Sequence, residues 1–261
     1  MKITIIGSGN MGGALIKGWS KKQLHDLTIT ARTEETLQKY TTLFPNIKTS
    51  LNNKEAILNS DIILLAVKPW LVEQVINEIK QNIDFKKQII ISVAANIYTD
   101  TLRTMLGNPN ADVLYVMPNI AAEFYESMTF IMPAENMEEN KIQLIEELFL
   151  SLGKVKICTK KEVTAGNMLS GCGIAYVMRF IHAMMEGGVE MGLYPKDAQN
   201  IAMQAMKGAV AVLEGADIHP AVGIDKVTTP GGLTIRGLNE LDHAGFNSAV
   251  IRCLKAGLEK P

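Results

Sequence analysis

The chain opens on a short β-branched run, Lys2-Ile3-Thr4-Ile5-Ile6, which stops at Gly7 and gives way to helical spacing from residue 11 to residue 21. Residues 27–31 predict a second strand and 34–43 a second helix. Residues 61–67 and 88–94 are apolar without alternation, the pattern of central parallel strands covered on both faces. Residues 112–117, 128–132 and 154–158 predict shorter strands. Strands alternating with helices predict an α/β class with a parallel, doubly wound sheet. After Thr159 the strand signals stop. Helical spacing covers residues 163–191, and Tyr194-Pro195-Lys196-Asp197 reads as a helix start with proline in the first turn, the helix running to Glu214. His219-Pro220 and Pro230-Gly231-Gly232 punctuate before two further helices. The predicted division is therefore an α/β domain over residues 1–159 and an all-α domain over 160–261.

Hydrophobic residues make up 47% and charged residues 20% of the 261, enough for two modest cores and a solvated surface. A formal net charge of −1 gives no electrostatic reason to expect nucleic acid or an anionic membrane as partner. The first apolar run is too short for a secretory leader. No uncharged apolar stretch approaches the ~20 residues of a membrane span. The richest, residues 168–191, is interrupted by Arg179, His182, Glu186 and Glu190. Cys158, Cys172 and Cys253 form no CxxC pair and the four histidines are scattered, which predicts free thiols in a reducing cytoplasm and no metal. Methionines 168, 178, 184, 185, 191, 203 and 206 on the C-terminal helices suit core filling or subunit contact. Small residues such as Gly187, Gly188 and Gly208 permit close helix approach, so a homodimer built on these helices is expected.

Gly7-Ser8-Gly9-Asn10-Met11-Gly12 fits GxGxxG, with a strand (ending at Ile6) before it and a helix after it. Gly7 allows the tight turn, Gly9 lets backbone approach a pyrophosphate at the helix N-terminus, and Gly12 lets the helix pack on the strand. This is the Rossmann-like dinucleotide pattern. At the end of the second strand, NAD sites usually carry an acid for the ribose 2′-hydroxyl. This chain has Arg32-Thr33, with no carboxylate before Glu34. A guanidinium with a hydroxyl beside it matches a 2′-phosphate, predicting NADPH as cofactor with NADH accepted less well; the alternative is a solvated surface arginine. Ligands of this fold gather at the carboxyl ends of strands, here Ala66-Val67-Lys68-Pro69, the small Ala94 and Ala95, and Met117-Pro118-Asn119. Lys68 reads equally as a cofactor contact or as a helix-start lysine.

With Ser170-Gly171-Cys172-Gly173-Ile174-Ala175-Tyr176 and Thr229-Pro230-Gly231-Gly232-Leu233-Thr234, these motifs resemble the pyrroline-5-carboxylate reductase family over nearly the whole chain, in order. The segment after Thr229 is the most specific. The resemblance implies NADPH-dependent reduction of the cyclic imine 1-pyrroline-5-carboxylate to L-proline, a cytoplasmic step of proline biosynthesis, in a homodimer or a ring of dimers. It implies that Thr234 is the catalytic residue, bonding the substrate ring nitrogen. It also implies that Asp217, Thr229, Gly231, Gly232 and Leu233 join Thr234 in holding substrate, and that Asn53 contacts the adenosine side of the cofactor. The chemistry of the residues agrees: a cyclic imine that arrives as its iminium needs a hydride donor and an orienting hydroxyl, and backbone N–H groups of the glycine turn can hold the carboxylate. The chain departs from the usual family pattern at five positions. Cys172 and Ile174 stand where Ser and Pro are common, Tyr115 where Arg is common, and Asn96 where Gly is common; Asp217 stands where some members have Glu. These departures bear on packing, substrate affinity and substrate range.

Two rivals share the N-terminal pattern. A β-hydroxyacid-dehydrogenase-like reductase needs a catalytic lysine on the helical domain, and Lys160 and Lys161 do not sit in that family's pattern. A non-enzymatic NADP(H)-sensing protein would keep the glycine turn without the loop that begins at Thr229.

Overall fold

In the computed structural model, which describes residues 1–23 and 25–258, the unbroken apolar runs form the middle of a sheet. The chain divides into two compact units, Met1–Gly171 and Cys172–Pro261. The first runs β1 (Lys2–Ile6), α1 (Asn10–Lys22), β2 (Asp26–Thr30), α2 (Glu34–Leu43), β3 (Lys48–Ser50), α3 (Asn53–Ile57), β4 (Ile62–Leu65) and α4 (Pro69–Ile79). It continues through β5 (Ile89–Ser92), α5 (Thr99–Leu106), β6 (Val113–Met117), β7 (Ser127–Pro133), α6 (Glu139–Leu150), β8 (Gly153–Ile157) and α7 (Lys160–Leu169). Among the described residues the strands form one eight-stranded sheet ordered β3-β2-β1-β4-β5-β6-β7-β8.

Alternate residues of β4 and β5 feed different cores. Ile62, Leu64, Ile89 and Ile91 join Leu15, Trp19 and Phe149 on one face. Ile63, Leu65 and Ile90 join Val72, Ile76 and Leu102 on the other. Both strand faces are thus covered by helices, which is why no period of two is visible. Each fully buried Ile or Leu stabilises the fold by roughly 1.5–3 kcal/mol. Trp19 is fully buried, its indole N–H donating to the Leu148 carbonyl at 3.3 Å and to Ser151 Oγ at 3.1 Å. Trp70, at the start of α4, is 75% exposed.

The expectation of an all-parallel sheet needs one correction. β6 and β7 are antiparallel, with Met117 opposite Phe130. Only the 3-10 turn Ile120–Phe124 joins them, and a parallel return needs a crossover of about a dozen residues or more. The doubly wound, helix-covered architecture otherwise agrees with the expectation.

The first compact unit extends past residue 159 to Gly171. Val163, Gly166 and Met168 of α7 are buried, and a side chain at Gly166 would strike the Phe130 ring of β7. This helix therefore belongs to the first unit. It begins with a reciprocal cap: Thr159 N–H donates to Glu162 Oε2 at 2.9 Å, and Glu162 N–H to Thr159 Oγ1 at 3.4 Å.

The second unit contains α8 (Gly173–Glu190), α9 (Pro195–Ala216), α10 (Pro220–Val227), α11 (Leu233–His243) and α12 (Phe246–Ala256). Two helices, α11 and α12, follow Pro230-Gly231-Gly232 as expected, and α10 lies between the two punctuations. Gly245, at φ +75°, breaks the last helical stretch. The helical run over 163–191 is also interrupted, at Ser170-Gly171-Cys172, between α7 and α8. By length and composition, residues Lys160–Glu190 alone among the described residues would pass as a membrane span. They are two helices, and the longer carries Arg179, Glu186 and Glu190. Gly188 of α8 lies close against Ala198 of α9, where a Cβ would sit 2.9 Å from the alanine methyl. No residue of α10, α11 or α12 is buried, and apolar side chains such as Met178, Ile201 and Val210 are more than half exposed.

Candidate active site

β1 delivers the chain from Ile6 into the turn at Gly7, whose φ of +102° is a left-handed conformation that L side chains rarely adopt. Its N–H donates to the Thr30 carbonyl at 3.3 Å, fixing the turn against the end of β2. A methyl on Gly12 would collide with the Gly7 carbonyl oxygen and lie 3.1 Å from Ala66 Cβ. The helix α1 can therefore approach β1 and β4 only because position 12 lacks a side chain. Gly9 is the N-cap of α1, with no side-chain cap and no acid in the first turn. The first-turn amides of Asn10, Met11 and Gly12 lack intrahelical partners and carry the positive end of the helix dipole. A Cβ built on Gly9 meets nothing within 4 Å. An anion fits this end of the first unit, because donors and open space coincide there.

The second strand end supplies Arg32 and Thr33. Arg32 is exposed and, among the described residues, is paired with no carboxylate. Thr33 is the N-cap of α2, accepting from Thr36 N–H at 3.4 Å, with its hydroxyl 2.9 Å from Thr36 Oγ1. Asn53 begins α3. Its Oδ1 accepts from the Thr30 hydroxyl at 2.6 Å and its Nδ2 donates to Glu78 Oε2 at 3.0 Å. One Nδ2 hydrogen remains for a ligand.

Ala66 and Val67 leave β4 directly against Gly7, where a Cβ would sit 2.9 Å from Val67 Cγ1. Lys68 is the exposed N-cap of α4 and Pro69 its first residue. Ala95 is exposed beyond β5. Asn96 has φ +63°, which accounts for that departure: asparagine is among the few residues that tolerate the left-handed conformation glycine supplies. Tyr115 is 1% exposed and tilted against Tyr98 with ring centroids 4.8 Å apart. Burial pushes its phenol up to about 12, with the Asn96 backbone as a hydrogen-bond neighbour opposing that rise. The residue where the family commonly has arginine is here a neutral core residue.

Met117 and Pro118 end β6. Asn119 is 4% exposed and its polar groups turn inward: Nδ2 donates to Ser170 Oγ at 3.0 Å, and Oδ1 accepts from Ala121 N–H at 3.0 Å. Ser170 Oγ in turn donates to the Met128 carbonyl at 3.0 Å. The Asn119 side chain thus ties β6 to β7 and to the end of α7, and its backbone is engaged as well, the N–H donating to Ser127 Oγ at 3.1 Å and the carbonyl accepting from the Ala122 N–H at 3.1 Å.

In the second unit, Thr229-Pro230 leads into Gly231, at φ +70°. The Gly232 N–H donates to the Thr229 carbonyl at 2.9 Å. Gly232 is the N-cap of α11, again without a side-chain cap or a first-turn acid. Leu233 (86% exposed) and Thr234 occupy that first turn and are open to solvent. Asp217 ends α9 in the left-handed conformation, φ +46°; no hydrogen bond joins its side chain to Thr234 among the described residues. The second unit therefore repeats the chemistry of the first: an uncapped helix N-terminus beside a glycine turn, with a threonine hydroxyl added. Sequence reasoning missed Tyr40 and Glu78, which touch the turn and Asn53 from helices far along the chain and belong to no local motif.

Residues 160–261 match the family described as pyrroline-5-carboxylate reductase dimerisation. Residues 2–96 match that described as NADP oxidoreductase coenzyme F420-dependent. The chain is 31% identical over 100% of its length to pyrroline-5-carboxylate reductase of Aquifex aeolicus and covers 96% of it. It is 31% identical over 99% of its length to pyrroline-5-carboxylate reductase 1 of Dictyostelium discoideum, of which it spans about half, 49%. Pyrroline carboxylate reductase of Plasmodium falciparum, solved with NADP bound, superposes with a TM-score of 0.87 at 26% identity, covering 98% of this chain and 95% of that one.

Proposed function

The chain belongs to the pyrroline-5-carboxylate reductase family, and on that premise we propose that it reduces 1-pyrroline-5-carboxylate to L-proline with NADPH, the closing step of proline biosynthesis. The observation that carries this reading is the segment Thr229-Pro230-Gly231-Gly232-Leu233-Thr234 at the uncapped start of α11. Its amides from Gly231 and Leu233, which are not spent on the turn as the Gly232 N–H is, suit a carboxylate. The Thr234 hydroxyl, one residue into the helix, suits the ring nitrogen. Thr229 shapes the turn through its carbonyl, and Asp217 is assigned to the substrate side through its family position.

Bound NADPH supplies the hydride that adds to the imine carbon. The nitrogen carries the balancing proton, so the protein need only orient the iminium and stabilise the carboxylate. Ile6 through Gly12 hold the pyrophosphate, Arg32 and Thr33 the 2′-phosphate, and Asn53 the adenosine ribose. Ala66 through Pro69, Ala95, Met117 and Pro118 line the cofactor along the strand ends, and Asn119 supports that edge from within. NADH, lacking the 2′-phosphate, is the poorer donor. A second copy covers the apolar faces of α8 and α9, giving a homodimer or a ring of dimers. Three free thiols support a reducing, cytoplasmic setting.

The test mixes purified protein with pyrroline-5-carboxylate and NADPH, with NADH in parallel, following cofactor oxidation and proline formation. Proline formed at the rate NADPH is lost, and faster than with NADH, is the expected result. NADPH binding without imine reduction would remove the substrate reading and leave a cofactor-binding protein.

A further inference from the structure

We propose that Tyr40 is a positioning residue for the cofactor: its hydroxyl fixes the Ser8–Gly9 peptide plane and so aims the Gly9 N–H at the dinucleotide pyrophosphate. The inference rests on the reading of Gly7–Gly12 as the dinucleotide turn.

Tyr40 lies on the inner face of α2, 9% exposed, with its ring in the core that also holds Leu15, Ile29 and Leu37. Its Oη donates to the Ser8 carbonyl at 3.1 Å. The Ser8 carbonyl and the Gly9 N–H belong to one trans peptide, and in a planar trans peptide these two groups point in opposite directions. Holding the carbonyl toward the protein therefore turns the N–H away from it, at the N-cap of α1, which has no side-chain cap. This peptide needs holding. Glycine at position 9 and the left-handed Gly7 leave the turn few steric restraints of its own. A rotated peptide would present a carbonyl oxygen, in place of a donor, to an anion.

Position 13 has the same cause. A Cβ on Gly13 would sit 2.6 Å from Tyr40 Oη, so only hydrogen there leaves room for the phenol. The hydroxyl stays a donor through the physiological range, because burial raises its pKa; Lys17 opposes that rise and Glu123 adds to it.

The test is Tyr40→Phe, which keeps the ring in the core and deletes one oxygen. Dissociation constants for NADPH and NADH, KM and kcat at saturating cofactor, and the melting temperature without cofactor are measured on the full chain. The expected result is that both cofactors bind about five- to twenty-fold more weakly, by the same factor, because the peptide faces the part they share. KM for cofactor rises accordingly and kcat at saturation holds. A merely structural tyrosine would lower the melting temperature or kcat and leave the cofactor constants alone, and that outcome overturns the proposal. Gly13→Ala gives an independent reading, since its methyl displaces the hydroxyl: the same paired loss of NADPH and NADH affinity supports the proposal, and unchanged affinity for both refutes it. Parental protein that binds no dinucleotide would overturn the underlying reading as well, and is recognised before any variant is compared.

Discussion

Replacing Arg32 by alanine tests the proposal that this residue makes the chain prefer NADPH to NADH. Arg32 precedes the N-cap of α2, and the first turn of that helix carries Glu34 and Glu35. Glu35 is partly engaged by Lys39 at 3.4 Å. Two carboxylates beside a helix start repel a 2′-phosphate, and Arg32 is the cation placed to offset them. A hydrogen bond to a charged group contributes about 1.5–3 kcal/mol. Arg32 is exposed, so solvent screening holds the value in the lower part of that range. A loss of about 1.5–2 kcal/mol corresponds to roughly a 10- to 30-fold rise in KM for NADPH. KM for NADH should stay within about twofold, since the bond lost is one NADH never makes. The melting temperature should hold too, because Arg32 has no partner among the described residues and surface changes of this kind stay within about 0.5 kcal/mol. The assay is initial-rate kinetics with each cofactor at saturating imine. Equal losses for NADPH and NADH, or no loss for either, would refute the assignment of Arg32 to the 2′-phosphate.

Three further outcomes follow from the geometry. Gly12→Ala sets a methyl against the Gly7 carbonyl and Ala66. The overpacking costs about 1–3 kcal/mol and shows as a lowered melting temperature with weakened NADPH binding by calorimetry. Thr234→Ala should lower kcat about tenfold or more while NADPH affinity holds, and Thr234→Ser should recover most of the rate. The Thr159 backbone and hydroxyl, then Lys156, hold Glu162 down to about 2. A depressed carboxylate stabilises the fold above its unfolded pKa and loses that contribution as pH falls through the folded one. The stability advantage of the parent over Glu162→Gln should therefore be full near neutral pH and vanish as pH drops toward 2, followed by thermal melts across that window.

The first unit was largely legible because its signals are local. The apolar runs 61–67 and 88–94, the glycine turn and the helix pattern at 34–43 each declare themselves within a few residues, and the elements lie where they were expected to within a residue or two at most ends. What was hidden depends on contacts distant in sequence. The reversal at β7 follows from a connection too short to cross over, yet its apolar residues look like those of any parallel strand. The short β3, with the polar sequence Lys48-Thr49-Ser50, carries no apolar signal at all. The break between α7 and α8 is enforced partly by Ser170 bonding back to β7, a partner no helical period announces. In the candidate site, the glycines and Arg32 were proposed from their local chemistry and Thr234 from the family resemblance. Tyr40 was not, since an aromatic on the inner face of a helix reads as core, which it also is.

The burial of Trp19 has a practical consequence for spectroscopy. The chain has two tryptophans, and both, Trp19 and Trp70, lie in the first unit. Trp70 is already in water, so the emission change on unfolding comes chiefly from Trp19 losing its enclosure beside Phe149. Tryptophan fluorescence is thus a private reporter of the first unit, while far-ultraviolet dichroism weighs the helices of both. The two transitions overlie if the chain melts as one cooperative whole, and they separate if the helical unit lets go at its own temperature.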